Sequence, residues 1–449
     1  MTKSYNLSRW FATLFLLLLS AFNCSAVDWL CFTAQEAGST IWFENEGDNN
    51  PNIQYSSDGE SWSDWNEKTT ITLKNTGDKV YVRGDNSKGF SFNAKKYTHF
   101  GMKGNISSSG SVMSLIGPNE SSTEIPNSGC FFKLFSDCKS LTQAPELPAT
   151  ILKDSCYYLL FEKCENLETA PELPAMTMAK YCYSSMFSGC SNLTKGPKLP
   201  SLTLAQNCYS GMFTDCNNLE VAPELPATEL EPYCYSTMFT ACEKLKKAPD
   251  LPAKKLVDFC YFFMFERCSG LESAKISATE LGPKSCIAMF MSCSNMNYIK
   301  IDVMTLDNDM SATESWVMGV TGEGIIEFPC GSKYNKYGDS EAPNNFTIKA
   351  SPIVIFQNPD KEELWRDTIG CDVVPQYKKK EKGEPFYKDG LIFKGWDVKP
   401  HVHETPDIYY YTAVYGEEDD IDLDKILCFT ALESNCKISY NCMGKPCPD

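Results

Sequence analysis

The stretch Cys208–Tyr233 reads CYSGMFTDCNNLEVAPELPATELEPY, and similar units recur along the middle of the chain. Its first cysteine belongs to a series spaced at intervals of 26 residues, and a second series follows eight residues later. A fixed period of this length predicts stacked structural repeats, because one unit is too small to bury its own apolar face. The two series are Cys130, Cys156, Cys182, Cys208, Cys234, Cys260 and Cys286, and then Cys138, Cys164, Cys190, Cys216, Cys242 and Cys268.

Each repeat is expected to fold as a short helical turn followed by a short strand. Met212, Phe213, Cys216 and Leu219 have the mixed spacing of such a unit, and we expect all four side chains to point inward. An Ala-Pro-x-Leu-Pro string follows in most repeats. Because proline lacks an amide donor, it should stand at the end of the strand rather than inside it.

Polar pairs that follow the recurring leucine form the candidate ligand-binding strip. We expect them on the short strand, facing solvent, where their chemistry varies while the core positions stay constant. Neutral drift on a solvated surface explains the same variation equally well. The strip consists of Thr142, Gln143, Glu168, Thr169, Thr194, Lys195, Glu220, Val221, Lys246 and Lys247.

The repeat cysteines are expected to be reduced and buried. Each stands among apolar partners, and a free cysteine behaves as a small hydrophobic residue. Disulfides are the alternative in a secreted chain. Zinc is disfavoured, because the spacing lacks the short knuckle of structural zinc sites and no histidine lies nearby.

The repeats resemble leucine-rich repeats of the BspA, or Treponema-type, class found in surface proteins of Bacteroides-like bacteria. MFSGCSNL (Met186–Leu193) and MFTDCNNL (Met212–Leu219) match that family's aromatic, cysteine and leucine spacing. The resemblance implies a leucine-rich-repeat solenoid over residues 105–333, caps included. It also implies adhesion without catalysis, to host or bacterial surface proteins such as matrix components.

Small β-modules are expected on both sides of the repeats. Residues 27–104 have short aromatic and β-branched segments, with a hairpin turn at Asp58-Gly59, and predict a β-sandwich-like module. Residues 347–416 contain Phe393-Lys394-Gly395-Trp396 and Thr412–Tyr415, which resemble the Listeria–Bacteroides repeat, a β-grasp fold of bacterial surface proteins.

The two ends of the sequence have distinct predicted roles. Residues 1–26 have the charged, apolar and small-residue regions of a secretory signal peptide, so the mature chain is expected to be secreted or at the cell surface. Lipidation at Cys24 is a less favoured alternative. Residues 417–424 are predicted to be an acidic linker, and 425–449 to begin a second copy of the N-terminal module.

Catalytic, metal-binding and nucleic-acid-binding motifs are not found in the sequence. The formal net charge of −17 argues against nucleic acid as a partner. His401-Val402-His403 and the alternating Asp420, Asp422 and Asp424 read as solvated surface rather than metal sites. We therefore expect no cofactor, no enzymatic activity and, beyond the leader, no transmembrane segment.

Carbohydrate binding is the alternative function. An aromatic residue follows each first-series cysteine, and stacked rings of this kind offer either a platform for sugars or plain packing between repeats. Trp29, Trp42, Trp62 and Trp65 are a second candidate for sugar contact. The aromatic ladder comprises Phe131, Tyr157, Tyr183, Tyr209, Tyr235 and Tyr261.

Overall fold

Contacts within the computed structural model divide the chain into two compact units, residues 1–175 and 176–449, called here the N-terminal and C-terminal units. The predicted leader with Cys24, the acidic linker and the second module copy lie outside the described residues. The structure describes residues 28–117, 122–303, 305–306, 312–329, 333–334, 346–351, 353–357, 363–368, 392–400 and 408–416.

The N-terminal unit begins with a β-module of two sheets. One sheet has the order β4-β3-β6-β1-β8-β9 and the other β5-β2-β7. Phe32 of the first sheet meets Phe100 of the second, with ring centres 5.3 Å apart. The strands are β1 (Leu30–Ala34), β2 (Ser39–Glu46), β3 (Ile53–Ser56), β4 (Ser63–Asp64), β5 (Ile71–Leu73), β6 (Lys79–Gly84), β7 (Tyr97–Lys103), β8 (Ile106–Ser109) and β9 (Leu141–Gln143).

The hairpin predicted at Asp58-Gly59 is confirmed. β3 and β4 are antiparallel, with Tyr55 opposite Ser63. The Asp58 carboxylate accepts hydrogen bonds from the amides of Ser61 and Glu60, both at 2.8 Å. These bonds hold the pKa of the Asp58 carboxyl well below its usual range, with the Ser61 amide as the largest cause.

Strand β8 joins the β-module to the repeats. It pairs antiparallel with β1 on one side and parallel with β9, in the first repeat, on the other. The segment expected to cap the repeats therefore also completes a sheet of the β-module, so the sheet continues across the boundary predicted at residue 104. A 3₁₀ turn, Val112–Leu115, follows β8.

Consecutive turns stand where the sequence predicted a short helical turn. In the segment from Cys182 to Cys190, backbone amides alternate between two kinds of acceptor. Met186 N donates to the Tyr183 carbonyl within the repeat (3.3 Å), and Phe187 N donates to the Met212 carbonyl of the next repeat (2.9 Å). Every second amide thus ties neighbouring repeats together.

The backbone geometry explains why no helix forms there. Every fourth residue is left-handed, with φ between 52° and 77°, whereas an α-helix needs negative φ throughout. The left-handed residues in three successive repeats are Tyr181, Ser185 and Gly189, then Asn207, Gly211 and Asp215, then Tyr233, Thr237 and Ala241.

Proline limits the strand of each repeat, as predicted. In the C-terminal unit, Lys195 and Val221 meet only in an isolated parallel bridge, and proline follows two residues after each. The string Ser273–Ile276 has lysine in place of that proline and forms a strand, β10. A proline nitrogen has no hydrogen to donate, so the ladder extends only where proline is absent.

A parallel sheet follows from β10 onward, with the order β10-β11-β13-β15. Ala274 pairs with Ile299, and Ile299 pairs with Ile326. Its last strand includes residues that were assigned to the C-terminal module, which starts at 347 in the sequence prediction. The new strands are β11 (Tyr298–Ile301), β12 (Thr305–Leu306), β13 (Gly324–Pro329), β14 (Lys333–Tyr334) and β15 (Phe346–Ser351), and β12 pairs with β14.

The C-terminal module contains a four-stranded mixed sheet. β16 and β19 are parallel neighbours at its centre, and β17 and β18 pair antiparallel on either side. All four strands lie within residues 347–416, the range that the sequence assigned to this module. Their bounds are β16 (Ile353–Gln357), β17 (Glu363–Thr368), β18 (Ile392–Pro400) and β19 (Ile408–Gly416). Within the described part of the chain, no helix has the length and apolar character needed to cross a bilayer.

The core of the repeats consists of the recurring apolar residues. Met212, Phe213, Cys216 and Leu219 are fully buried, as predicted. Phe213 stacks nearly parallel on Phe187 and on Phe239, with ring centres 5.8 and 5.6 Å apart. Each repeat therefore completes the core of its neighbours, which one repeat is too small to do alone.

The repeat cysteines are unpaired and buried, which confirms the prediction. Thiols of the second series donate to the backbone carbonyl of a phenylalanine in the preceding repeat, as from Cys216 to Phe187 (3.1 Å) and from Cys268 to Phe239 (2.9 Å). Cys208 of the first series is also fully buried, and burial raises the pKa of its thiol to about 12, while a backbone hydrogen bond at Ala205, three residues earlier, partly offsets this rise.

Serine substitutions test this difference between the two series. Cys208→Ser should lower the free energy of unfolding by about 1–3 kcal/mol, because a polar hydroxyl would replace the less polar thiol in an apolar core and has no carbonyl of the preceding repeat to bond among the described residues. Cys216→Ser should cost less, because its hydroxyl can donate to the Phe187 carbonyl. Denaturant unfolding of the two variants measures both losses, and equal losses would contradict the role assigned to the thiol–carbonyl bond.

Candidate binding surface

The predicted strip lies on the surface in both units. Thr142 is half-buried, with its hydroxyl donating to the Ile106 carbonyl (3.2 Å). The other strip residues are exposed, including the apolar Val221 at 52%. The strand after the recurring leucine therefore presents the variable residues to solvent, as expected.

In the N-terminal unit, the structure brings two strip residues together at a pocket. Gln143 and Thr169 form a parallel bridge between neighbouring repeats. Both line a pocket of about 320 Å³, with Glu146 and Glu172 also in its lining. The remaining lining residues are Ala144, Pro145, Leu147, Pro148, Ala170, Pro171 and Pro174.

In the C-terminal unit, the strip becomes basic. Lys195 forms a parallel β-bridge with Val221, and Lys247 forms one with Ser273, so the backbone of each lysine lies beside the backbone of the next repeat. Lys195, Lys246 and Lys247 are exposed and form no ion pair within the described residues. These charges are therefore available to an anionic partner surface.

The aromatic ladder lies inside the protein rather than on its surface. Tyr209 and Tyr235 stack with ring centres 5.9 Å apart and are at most 2% exposed. Phe131 and Tyr157 stack in the same way in the N-terminal unit (5.7 Å). A sugar has no access to these rings, so the ladder is not a carbohydrate platform and serves packing between repeats.

Two of the four candidate tryptophans lie together in the β-module. Trp29 and Trp62 meet edge to face, with ring centres 5.1 Å apart. The Arg83 guanidinium lies 4.1 Å from the centre of the Trp62 ring, and Arg83 Nε donates to Gln54 Oε1 (3.0 Å). Both tryptophans are half-exposed, so this corner combines accessible aromatic rings with polar groups.

The other two tryptophans have structural roles. Trp65 is buried against Phe43 (5.4 Å), and its Nε1 donates to the Thr69 carbonyl (2.8 Å). Trp42 covers Gly101 on the neighbouring strand, where a Cβ would lie only 2.3 Å from the indole ring. Trp65 is thus unavailable to a ligand.

In the part of the chain that the structure describes, no three His, Cys, Asp or Glu side chains come together in a group that could hold a metal ion. His99 lies beside the Tyr97 ring (5.8 Å). His401, His403 and the aspartates of 420–424 lie outside the described residues.

Sequence reasoning missed an aromatic cluster in the C-terminal unit. Phe259 stacks on Tyr233 (4.5 Å) and meets Phe262 edge to face (5.5 Å), and Phe262 meets Phe263 (4.4 Å). All four rings are half-exposed, and Lys284 lies over Phe259. The signal was present in the repeats: the positions of Phe262 and Phe263 are Ser-Ser, Ser-Gly and Ser-Thr in the three preceding units.

No protein-family model matches the sequence, and no curated protein matches it. The likeness to BspA-type repeats and to the Listeria–Bacteroides repeat therefore rests on the short motifs quoted above.

The strained backbone at Phe263 provides a test of what the aromatic cluster does. Its φ is 53°, a left-handed conformation that costs a bulky residue about 1–2 kcal/mol and that glycine adopts freely. Phe263→Gly should therefore leave thermal stability unchanged or raise it. Phe265→Ala, at a fully buried ring of the same repeat, should cost about 3–5 kcal/mol. A loss above about 1 kcal/mol for Phe263→Gly would mean that its ring is needed for packing.

Proposed function

We propose that this chain is a non-enzymatic binding protein, secreted or at the cell surface, whose repeats form a BspA-type leucine-rich-repeat solenoid. The repeats present a variable strip to proteins on host or bacterial surfaces, such as matrix components.

One observation supports this proposal above the others. Core positions repeat with almost no change and are fully buried, whereas the strip residues are exposed and differ from repeat to repeat. Lys195 and Val221, from successive repeats, bridge through the backbone, so their side chains start from fixed neighbouring points. A surface of this kind changes its ligand without changing its fold.

Carbohydrate binding is the second candidate, and it is supported by the Trp29–Trp62 corner. The two half-exposed rings, the Arg83 guanidinium and the Gln54 amide provide the mixed aromatic and polar contacts of a sugar site. A matrix-protein screen and a glycan array, both with the mature chain, separate the two functions. Binding only to glycans, and its loss in Trp62→Ala, would replace the first function with the second.

Charge reversal tests the strip in the C-terminal unit. The triple variant Lys195→Glu, Lys246→Glu and Lys247→Glu should weaken binding to the leading protein ligand by about tenfold or more, because three free cations become anions. The melting temperature should be unchanged, because exposed charges away from ion pairs contribute little to stability. Surface plasmon resonance at low and high salt measures the affinity.

The matched control reverses three exposed lysines of the β-module, Lys74, Lys88 and Lys95. It makes the same change in net charge at a distance along the chain from the strip. Full affinity in the strip variant, or an equal loss in both variants, would contradict the strip as the binding surface.

A further inference from the structure

The pocket of the N-terminal unit has an apolar wall and an acidic rim. Four prolines, two alanines and Leu147 form most of its lining, between residues 143–148 of one repeat and 169–174 of the next. Glu146 and Glu172 occupy equivalent positions in these repeats and are exposed. Neither carboxylate forms an ion pair within the described residues, and the lining contains no lysine or arginine.

A methyl group distinguishes this boundary between repeats from an equivalent one in the C-terminal unit. In the C-terminal unit, Gly196 takes the place of Ala144. Its amide donates to the Val221 carbonyl (3.2 Å), and Pro223 packs so closely that a Cβ on Gly196 would lie 2.7 Å from the proline ring. Ala144 has that Cβ and faces Pro171, and within the described residues its amide donates no such bond.

A second position shows that the proline is also needed. Ala248 has the same methyl group as Ala144, but the next repeat has Lys275 in place of proline. There the Ala248 amide does donate to the Ser273 carbonyl (3.1 Å). Alanine opposite proline therefore lacks this short amide–carbonyl bond within the described residues, although Gln143 and Thr169 still form a bridge, and the bond is present where either residue differs.

The chemistry of the lining selects a cationic side chain. Proline rings and Leu147 pack against an alkyl stem, while the carboxylates of Glu146 and Glu172 attract an ammonium or guanidinium group at its end. The volume lies at the lower end for ligand pockets, which are roughly 300–1,000 Å³, so it fits one long side chain rather than a large ligand.

The same pocket offers groups for a peptide backbone. The side-chain amide of Gln143 can both donate and accept hydrogen bonds. A free amine would leave these groups unused. We propose that this pocket binds a lysine or arginine side chain presented on an extended segment of a partner protein. The inference rests on the proposed function and names the chemistry that this part of the strip recognises.

Binding of small probes to the full chain tests the proposal. Saturation-transfer NMR is performed with the capped peptide Gly-Ser-Lys-Ser-Gly, with its arginine, glutamine and norleucine counterparts, and with spermidine as a free amine. The lysine and arginine peptides should bind at least about tenfold more tightly than the other two peptides and than spermidine. Equal binding of norleucine or spermidine, or no binding of lysine, would overturn the proposal.

Three variants locate the site. Glu146→Gln with Glu172→Gln should weaken the lysine peptide by about tenfold or more. Ala144→Gly keeps both carboxylates but should close the pocket, and it should weaken binding as well. Glu60→Gln with Asp85→Asn removes the same charge from exposed positions of the same unit and should change affinity by less than about twofold.

The outcomes also separate this inference from the proposed function. If both carboxylate double variants lose the same affinity for the lysine peptide, the effect is only general charge attraction. If Ala144→Gly binds the peptide with full affinity, the pocket is not the binding site. If the wild-type chain binds a matrix protein and Glu146→Gln with Glu172→Gln binds it equally well, the inference fails and the proposed function stands. If the chain binds the lysine peptide but no surface protein, the proposed function fails.

Discussion

The register between neighbouring repeats depends on how backbone amides are shared in the turn segments. Amides alternate between a carbonyl three residues back and a carbonyl of the next repeat, as at Met186 and Phe187. Buried backbone groups need partners, so this alternation fixes how one repeat lies on the next. The Cys216 thiol adds a donor to the Phe187 carbonyl, which explains a cysteine where another small apolar residue would fill the same space.

The residues that stabilise the repeats differ from the residues proposed to bind a partner. Stacked rings such as Phe213 and Phe239, and the thiols beside them, supply the buried contacts, while exposed strip residues such as Lys195 and Thr169 contribute little packing. Their chemistry can change at small cost in folding free energy. The amide–carbonyl bond between neighbouring repeats also depends on these positions, since the Gly196 amide donates to the next repeat and the Ala144 amide, within the described residues, does not.

The core residues and the ends of the strands could be predicted from the sequence. The repeat period identifies the buried positions, and each proline ends the strand in which it stands. The prediction of a helical turn was wrong, and the sequence could not have shown this. The left-handed backbone at Tyr181 or Phe259 is set by contacts with the neighbouring repeat and not by the preference of the residue. The burial of the aromatic ladder could not be predicted either, because a buried tyrosine hydroxyl usually has a hydrogen-bond partner, whereas the Tyr209 hydroxyl is buried with none among the described residues. Predicting the pocket from the sequence would have required knowing which alanine lies opposite which proline.

Alkaline unfolding tests most directly whether neutral, buried thiols hold the repeats together. Burial raises the pKa of Cys208 and Cys286 from 9.0 to about 12. Because the folded-state pKa is the higher one, stability is complete below pH 9 and is lost above it, by about 1.4 kcal/mol per thiol and per pH unit. The summed loss from several such thiols is a large part of a typical free energy of unfolding, which is about 5–15 kcal/mol. We expect the melting temperature, measured without reductant, to fall by about 10 °C or more between about pH 8 and about pH 10. An unchanged value would show oxidised or exposed cysteines and contradict the account.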